Sequence, residues 1–369
     1  MKNEPTKGKK RFIMAGGGTG GHIFPAISIA NAIVEKCPDA EFLFVGAKGK
    51  MEMEKVPEAG YKIVGLTIAG YNRSSLIKNI SLPYKLVKSF FEVARIFRDF
   101  RPDAVIGVGG YSSFPVLKYA QSKGIPTFIH ESNSFAGKSN IMLGKKANRI
   151  FTASEGMEKF FPASLISITG NPVRKSIVTP ADRLEAMKYF GLRPEKPTVL
   201  IVGGSLGART INEAIDSDLD MLESNGIQVI WQTGKPYHQT AFMKAAGKNN
   251  IRVHDFISRM DLAYAAADAV VSRSGALAVT ELCIVGRPVI FVPFPHAAED
   301  HQTFNAMRLV EKEAAWIVKD AEAKEKLVPK LIELLKMDEE RKKISNNISK
   351  LANTDADDLV ADEILSALS

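Results

Sequence analysis

Two stretches of this chain open in the same way: a short apolar run, a cluster of glycines, then a helical pattern. Phe12-Ile13-Met14-Ala15 leads into Gly16-Gly17-Gly18-Thr19-Gly20-Gly21, and Val199-Leu200-Ile201-Val202 leads into Gly203-Gly204-Ser205-Leu206-Gly207. A strand that turns on glycine into a helix starts a βαβ unit, because glycine allows the tight turn and a close approach to an anionic ligand. Two such starts in 369 residues predict two doubly wound domains. Short apolar runs at 11–15, 41–46, 104–108, 126–130, 149–152 and 165–169 read as strands of the first. Those at 198–203, 228–232, 252–255, 269–272, 288–292 and 315–318 repeat the plan. Helical patterns such as 25–36 fill the gaps, and strand–helix alternation at this spacing implies parallel sheets. The turn-rich stretch Thr169-Gly170-Asn171-Pro172-Val173-Arg174 marks the boundary, giving domains 1–174 and 175–353. The acidic helical pattern at 354–369 is expected to fold back on the first.

Composition narrows the class. With 45% hydrophobic and 24% charged residues the chain is neither disordered nor collagen-like. No apolar run reaches the roughly 18 residues of a spanning helix. The lysine-rich start runs directly into the first strand without the pattern of a signal peptide. Cys37 and Cys283 lie far apart in unrelated contexts, which argues against a disulfide framework or zinc cluster and for the cytoplasm. The net charge of +8 is uneven. Residues 1–175 hold 26 Lys and Arg against 13 Asp and Glu, a net of +13; residues 176–369 hold 23 against 28, a net of −5. The first half is therefore expected to meet an anionic surface.

Gly16, Gly18 and Gly21 satisfy G-x-G-x-x-G, but the second strand ends Val45-Gly46-Ala47-Lys48 without the acid that holds a nicotinamide ribose. Gly203-Gly204-Ser205-Leu206-Gly207 fits the nucleophile elbow of a hydrolase, with Asp255 and His296 available downstream. No oxyanion loop accompanies it, so a turn touching phosphate is the better reading. Ser272-Arg273-Ser274-Gly275-Ala276-Leu277 opens a third helix that carries Glu281. A diphosphate on the amides near Ala276 and Leu277, with Glu281 accepting from a ribose diol, fits a nucleotide diphosphate. Asp216-Ser217-Asp218-Leu219-Asp220 lies within a helical pattern spanning 211–222, where residues two apart diverge around the axis. The ligand-rich run His296 to His301 has no metal-helix spacing, so no metal site is expected.

The basic first half concentrates its charge between Tyr71 and Arg101. Positions 86, 87, 90, 94 and 97 read as the core-facing stripe of a helix. Ahead of it, Leu76, Ile77, Ile80 and Leu82 stand beside Arg73 and Lys78 without a clean helical face. Aliphatic residues beside cations suit shallow insertion into an anionic leaflet. Nucleic acid would favour exposed aromatics, so the reading is a membrane surface and no nucleic-acid partner.

Taken in order, these motifs resemble the MurG family of peptidoglycan N-acetylglucosamine transferases. The resemblance runs from Gly16–His22 through Gly109-Gly110-Tyr111, His130-Glu131-Ser132-Asn133, Thr169–Arg174, Gly203–Arg209 and Arg273–Leu277 to Asp300-His301-Gln302 and Asn305-Ala306. It implies a GT-B fold, two Rossmann-like doubly wound parallel-sheet domains facing a deep cleft. It implies inverting transfer of GlcNAc from UDP-GlcNAc to the C4 hydroxyl of the muramyl sugar in undecaprenyl-pyrophosphoryl-MurNAc-pentapeptide (lipid I), giving lipid II. Another GT-B enzyme, such as a diacylglycerol glycosyltransferase or a UDP-GlcNAc 2-epimerase-like enzyme, is the alternative.

By the same resemblance Ile257 would receive the uracil and Glu281 the ribose, while Ser205 and Ala276, Leu277, Ala278, Val279 and Thr280 would hold the diphosphate. Gln302 would meet the sugar hydroxyls, with Asn133 and Arg174 approaching from the other side. Thr19, Gly20 and Gly21 would line the reaction centre, and Gly109, Gly110 and Tyr111 the acceptor pyrophosphate. Leu206 stands where many relatives carry glutamine, and 295–301 is a residue longer than in some. UDP-GlcNAc is a co-substrate, so no cofactor or metal is expected. The implied location is the cytoplasmic face of the plasma membrane, peripheral, in company with other cell-wall synthesis proteins. A general base must take the C4 hydroxyl proton; His22 is assigned that role, with Glu131 as the substitute. An imidazole suits it because an ordinary pKa of about 6.5 leaves it largely neutral near pH 7.

Overall fold

The structure, a computed structural model, describes residues 9–70, 80–297 and 300–368. The chain divides into two compact units, Met1–Pro172 with Asp355–Ser369, and Val173–Thr354. The division falls two residues before the expected boundary, which transfers Arg174 to the second unit.

Among the described residues of the first unit, seven parallel strands form one sheet. They are β1 (Arg11–Ala15), β2 (Glu41–Ala47), β3 (Lys62–Leu66), β4 (Ala104–Gly107), β5 (Thr127–Glu131), β6 (Arg149–Thr152) and β7 (Ile166–Ile168), in the order β3-β2-β1-β4-β5-β6-β7. The second unit has six: β8 (Thr198–Val202), β9 (Gln228–Gln232), β10 (Ile251–His254), β11 (Ala269–Ser272), β12 (Val289–Phe291) and β13 (Trp316–Ile317), ordered β10-β9-β8-β11-β12-β13. In each sheet the first strand is central and the order reverses beside it. Ligands of doubly wound sheets bind at that switch point, past the carboxyl ends of the strands. The two glycine turns lie there, after β1 and after β8.

Core strands are continuous apolar runs because helices cover both faces. Phe12, Met14, Ile106 and Phe128 pack on one face of the first sheet, Ile13, Val105 and Ile129 on the other. The helix Ala356–Ala367 packs against Gly20–Lys36 through buried Val360, Ala361 and Ile364. Lys36 pairs with Asp358 and Asp362, and Arg149 with Glu363. The apolar contact carries the attachment, since exposed ion pairs contribute only about 0–1 kcal/mol.

Four elements differ from the sequence reading. Strand β3 was not anticipated: Lys-Ile-Val-Gly-Leu is an edge strand with a half-exposed alternation, so its apolar signal is short. The helix expected over 25–36 begins at Gly20, five residues before the proline. The pattern at 211–222 is two helices, Arg209–Ser217 and Leu219–Ser224, broken at Asp218. In Leu82–Phe100 the buried residues are Ser89, Val93 and Phe97; of the predicted stripe Phe97 is buried, Phe90 and Ala94 are half-buried, and Leu86 and Val87 are exposed. Val87 (57%) and Phe91 (74%) are exposed. The Ser89 hydroxyl, at the N-terminal end of the buried face, donates back to the Leu86 carbonyl.

Candidate functional site

The first unit's turn is occupied by the protein's own carboxylate. Glu52, from the helix Glu52–Glu58, is 1% exposed. It accepts from the Gly18 N–H and the Ala47 N–H, both at 2.9 Å. A Cβ at Gly17 or Gly46 would lie 2.4 Å from Glu52, so these two glycines make its seat. A buried anion at this position disfavours a dinucleotide phosphate there. Glu52 escapes sequence reading because it lies five residues past the end of β2, in a segment with no glycine motif of its own to mark it.

Thr19 precedes the helix Gly20–Lys36 in an extended conformation and gives it no side-chain cap, so the Gly20 and Gly21 amides start an uncapped helix. His22 is half-buried in its first turn, with Nδ1 3.1 Å from the Gly17 carbonyl oxygen. A carbonyl can only accept, so Nδ1 carries the proton and Nε2 keeps its lone pair. Across from it, Gly109 (φ 95°) and Gly110 (φ 85°) follow β4. A Cβ at Gly109 would lie 2.9 Å from His22 Nε2, and one at Gly110 2.5 Å from the Gly17 oxygen. The two glycine turns therefore interlock around the imidazole. Tyr111 packs on Gly70; burial, then the Glu52 charge, raises its phenol pKa above the ordinary value.

Glu131 is engaged at both carboxylate oxygens. Its carboxylate is buried and accepts from the Asn133 N–H (3.1 Å), Asn133 Nδ2 (3.2 Å), the Gly137 N–H (3.0 Å) and Asn140 Nδ2 (2.8 Å). Four donors fill its acceptor capacity; it anchors the loop after β5 and holds Asn133 in place. His130 beside it is fully buried, and burial lowers its pKa to about 4 against the opposing bond to the Gly170 carbonyl.

In the second unit the helix Ala276–Val285 follows β11 with no side-chain cap and no acid in its first turn, leaving the amides of Ala276, Leu277 and Ala278 as donors. Val279 and Thr280 are half-buried along the same helix, and the Thr280 hydroxyl donates to the Ala276 carbonyl at 3.1 Å. One turn further, buried Glu281 meets the Arg174 guanidinium at 3.1 Å through Oε1 and the Tyr264 hydroxyl at 3.1 Å through Oε2. Arg174 thus belongs with Glu281 to the second unit, whereas the expected boundary puts it at the end of the first. The Tyr264 phenol stays protonated well above its ordinary range, through burial and then the Glu281 charge.

The serine turn is held from beneath. A Cβ at Gly207 would lie 1.9 Å from the Thr233 oxygen. Buried Gln232 donates to the Gly204 carbonyl (3.0 Å) and accepts from the Ile257 N–H (2.8 Å), joining this turn to the Ile257 loop. Ile257 has its side chain in the core and that N–H engaged. Ser205 is half-buried and Leu206 exposed. Gln302 Oε1 accepts from the Phe294 N–H at 3.0 Å, while the Gln302 carbonyl accepts from Ser274 at 2.7 Å. Gln232 and Tyr264 were missed because their motifs carry no glycine signal. Asp216 is held by Tyr237 and Lys244 and Asp220 by Lys248, so the D-x-D carboxylates do not converge.

Arg73, Leu76, Ile77 and Lys78 lie outside the described residues. Ile80 is exposed and Leu82 is half-buried at the start of its helix. Exposed Tyr84, Val87 and Phe91 follow at helical spacing, with exposed Arg95 and Arg98 continuing the line.

Two parallel-sheet units with glycine turns at their switch points, one bearing uncapped amides beside a buried carboxylate, match the GT-B class of glycosyltransferases. The glycosyltransferase family 28 N-terminal domain matches residues 12–152, and the family 28 C-terminal domain matches residues 198–360. A Bacteroides fragilis protein is 53% identical over 96% of this chain and 95% of its own length; one from Parabacteroides distasonis is 51% identical over 97% and 98%. Both are named UDP-N-acetylglucosamine–N-acetylmuramyl-(pentapeptide) pyrophosphoryl-undecaprenol N-acetylglucosamine transferase. The crystal structure of Acinetobacter baumannii MurG superposes with a TM-score of 0.71 at 30% identity, covering 97% of this chain and 99% of that one. The chain belongs to glycosyltransferase family 28 and, within it, to the MurG family.

Proposed function

We propose that the chain transfers N-acetylglucosamine from UDP-GlcNAc to the C4 hydroxyl of the muramyl sugar of lipid I, forming lipid II for peptidoglycan synthesis. About half of its residues are identical, over nearly the full length, to transferases named for that reaction, and this is the observation that carries the reading. The donor belongs to the second unit. Glu281 has two of about four acceptor positions engaged by Arg174 and Tyr264, and the remainder suit a ribose diol. The Ala276–Ala278 amides suit a diphosphate and stabilise the charge that develops on departing UDP. Gln302, its side-chain Oε1 held by the Phe294 N–H, retains its Nε2 hydrogens for sugar hydroxyls. Ser205 and Ile257 serve the phosphate and the base.

The acceptor belongs to the first unit, with Thr19, Gly20, Gly21, Gly109, Gly110, Tyr111 and Asn133 around it. His22 Nε2 takes the C4 proton as O4 bonds to the anomeric carbon and the bond to the β-phosphate oxygen breaks, its electron pair leaving with UDP. This single displacement inverts the centre and proceeds without a metal. The line from Ile80 through Tyr84, Val87 and Phe91 to Arg95 and Arg98 rests on the anionic cytoplasmic leaflet, where the lipid-linked acceptor resides.

Transfer of labelled GlcNAc to a lipid I analogue, with and without EDTA, tests the reading. Product formation insensitive to EDTA is expected. Absence of transfer overturns the reaction, and strong inhibition by EDTA overturns its metal independence.

A further inference from the structure

Glu52 and His22 hold opposite ends of one peptide group. The Gly17 carbonyl and the Gly18 N–H belong to the same planar, conjugated unit. His22 Nδ1 lies 3.1 Å from the carbonyl oxygen; the N–H donates to Glu52 Oε2 at 2.9 Å. Hydrogen bonds at both ends of a peptide polarise it in the same sense, and each strengthens the other. The carboxylate charge draws the amide hydrogen, enriches the carbonyl oxygen, and so strengthens its hold on Nδ1–H. We propose that Glu52 is the positioning residue behind His22, acting through the Gly17–Gly18 peptide as a directly bonded carboxylate acts in a histidine–carboxylate pair.

Three features support a dedicated arrangement. Glu52 is buried, and its second oxygen is fixed by the Ala47 N–H at 2.9 Å, so the charge cannot swing away. Gly17 and Gly46 are both required to admit it, a Cβ at either lying 2.4 Å away. The far nitrogen of His22 faces Gly109, where a side chain would meet Nε2 at 2.9 Å, so the working nitrogen is kept uncovered while Nδ1 is tied. The titratable groups facing this arrangement are His130, which is neutral near pH 7, and Tyr111, which stays protonated there. Among the described residues Glu52 is therefore the carboxylate bound directly to this peptide. In the reaction the C4 hydroxyl proton moves to Nε2, and the resulting imidazolium is stabilised through the peptide by the carboxylate.

This inference rests on His22 being the base, and the experiment separates the two. Nitrogen-15 NMR of the intact protein, with the His22 signals identified by their loss in His22→Gln, reads the tautomer directly. Neutral His22 is expected to carry its proton on Nδ1; a predominant Nε2–H form overturns the relay without any variant at Glu52. In Glu52→Gln, kcat should fall 10- to 100-fold with KM for UDP-GlcNAc unchanged, and the acid limb of the pH–rate profile should move to lower pH. Glu52→Asp, which keeps the charge, should restore part of kcat and return the limb towards its original position. Loss of activity in both variants with the limb unmoved would mark Glu52 as structural only and overturn the relay. If His22→Gln keeps normal kcat, the base assignment fails; if it loses turnover while Glu52→Gln leaves limb and tautomer unchanged, the relay alone fails.

Discussion

Arg174 and Glu281 form a 3.1 Å ion pair within the second unit, and Tyr264 holds the other carboxylate oxygen at the same distance. A carboxylate fixed at both oxygens presents its remaining lone pairs in one orientation, which a diol needs if it is to be bound with both hydroxyls. Tyr264→Phe removes one tether and leaves shape and charge intact. Stability should fall by about 1 kcal/mol. KM for UDP-GlcNAc should rise about 5- to 10-fold with kcat little changed, the pattern of lost uniform binding. Steady-state kinetics over donor concentration checks this; an unchanged KM removes Glu281 from the donor site.

Glu131 accepts four hydrogen bonds, and its replacement separates an anchor from a base. Glu131→Gln turns an amide N–H towards donors that need an acceptor. It should lower stability by about 2–3 kcal/mol and reduce activity while leaving the acid limb of the pH–rate profile in place. Disappearance of that limb would return Glu131 to the role of base.

His130 gives the first unit an acid-sensitive core. Its native pKa, about 4, lies below the ordinary 6.5, so between those values the unfolded chain binds the extra proton. The stability at stake is complete above pH 6.5 and is lost as pH falls through 4, amounting to about 3 kcal/mol. Both tryptophans, Trp231 and Trp316, belong to the second unit, so amide hydrogen exchange of β4 and β5 is the appropriate measurement. His130→Asn should lower stability at neutral pH and flatten this dependence; an unaltered slope would place its origin elsewhere.

Gly109 is required by its neighbour as well as by its backbone. Gly109→Ala should lower kcat by about 100-fold or more, because a displaced base loses its reacting geometry. KM for UDP-GlcNAc should stay near normal. Gly124, at φ 70° with open space around its Cβ position, is the comparison. Gly124→Ala carries a similar backbone strain of about 1–2 kcal/mol without the contact, and should retain kcat. Equal losses in both would attribute the effect to strain.

The exposed line on Leu82–Phe100 predicts a separation of membrane binding from chemistry. Val87→Ser with Phe91→Ser should leave stability within about 0.5 kcal/mol of the original and turnover of a water-soluble acceptor analogue unchanged. Sedimentation with vesicles containing an anionic phospholipid should fall about tenfold or more. Arg95→Glu with Arg98→Glu should weaken the same binding and reduce its salt dependence. Unimpaired vesicle binding in both pairs would exclude this face.

The amino-acid order was enough for the architecture. Twelve of the thirteen described strands, the paired glycine turns and Glu281 one turn into its helix are local patterns: an apolar run, a glycine cluster and a helical spacing within a short window. Strand β3 escaped because an edge strand needs only half of its residues apolar. How far the buried stripe of Leu82–Phe100 is rotated about the helix was undecidable locally, since neighbouring stripes that share Phe97 satisfy the helical period and only the surface they pack on chooses between them. The same holds for function. Sequence named His22 and Glu131 as the possible bases. In the tertiary structure the Glu131 carboxylate accepts four hydrogen bonds, while the His22 imidazole is tied at Nδ1 to the Gly17 carbonyl. Tertiary structure also brought Glu52 beneath the glycine turn and Arg174 to Glu281, contacts made across 34 and 107 positions of chain. A residue's type and its near neighbours set what it can do; the charges and donors that chain folding gathers around it, from sequence-distant segments, decide what it does.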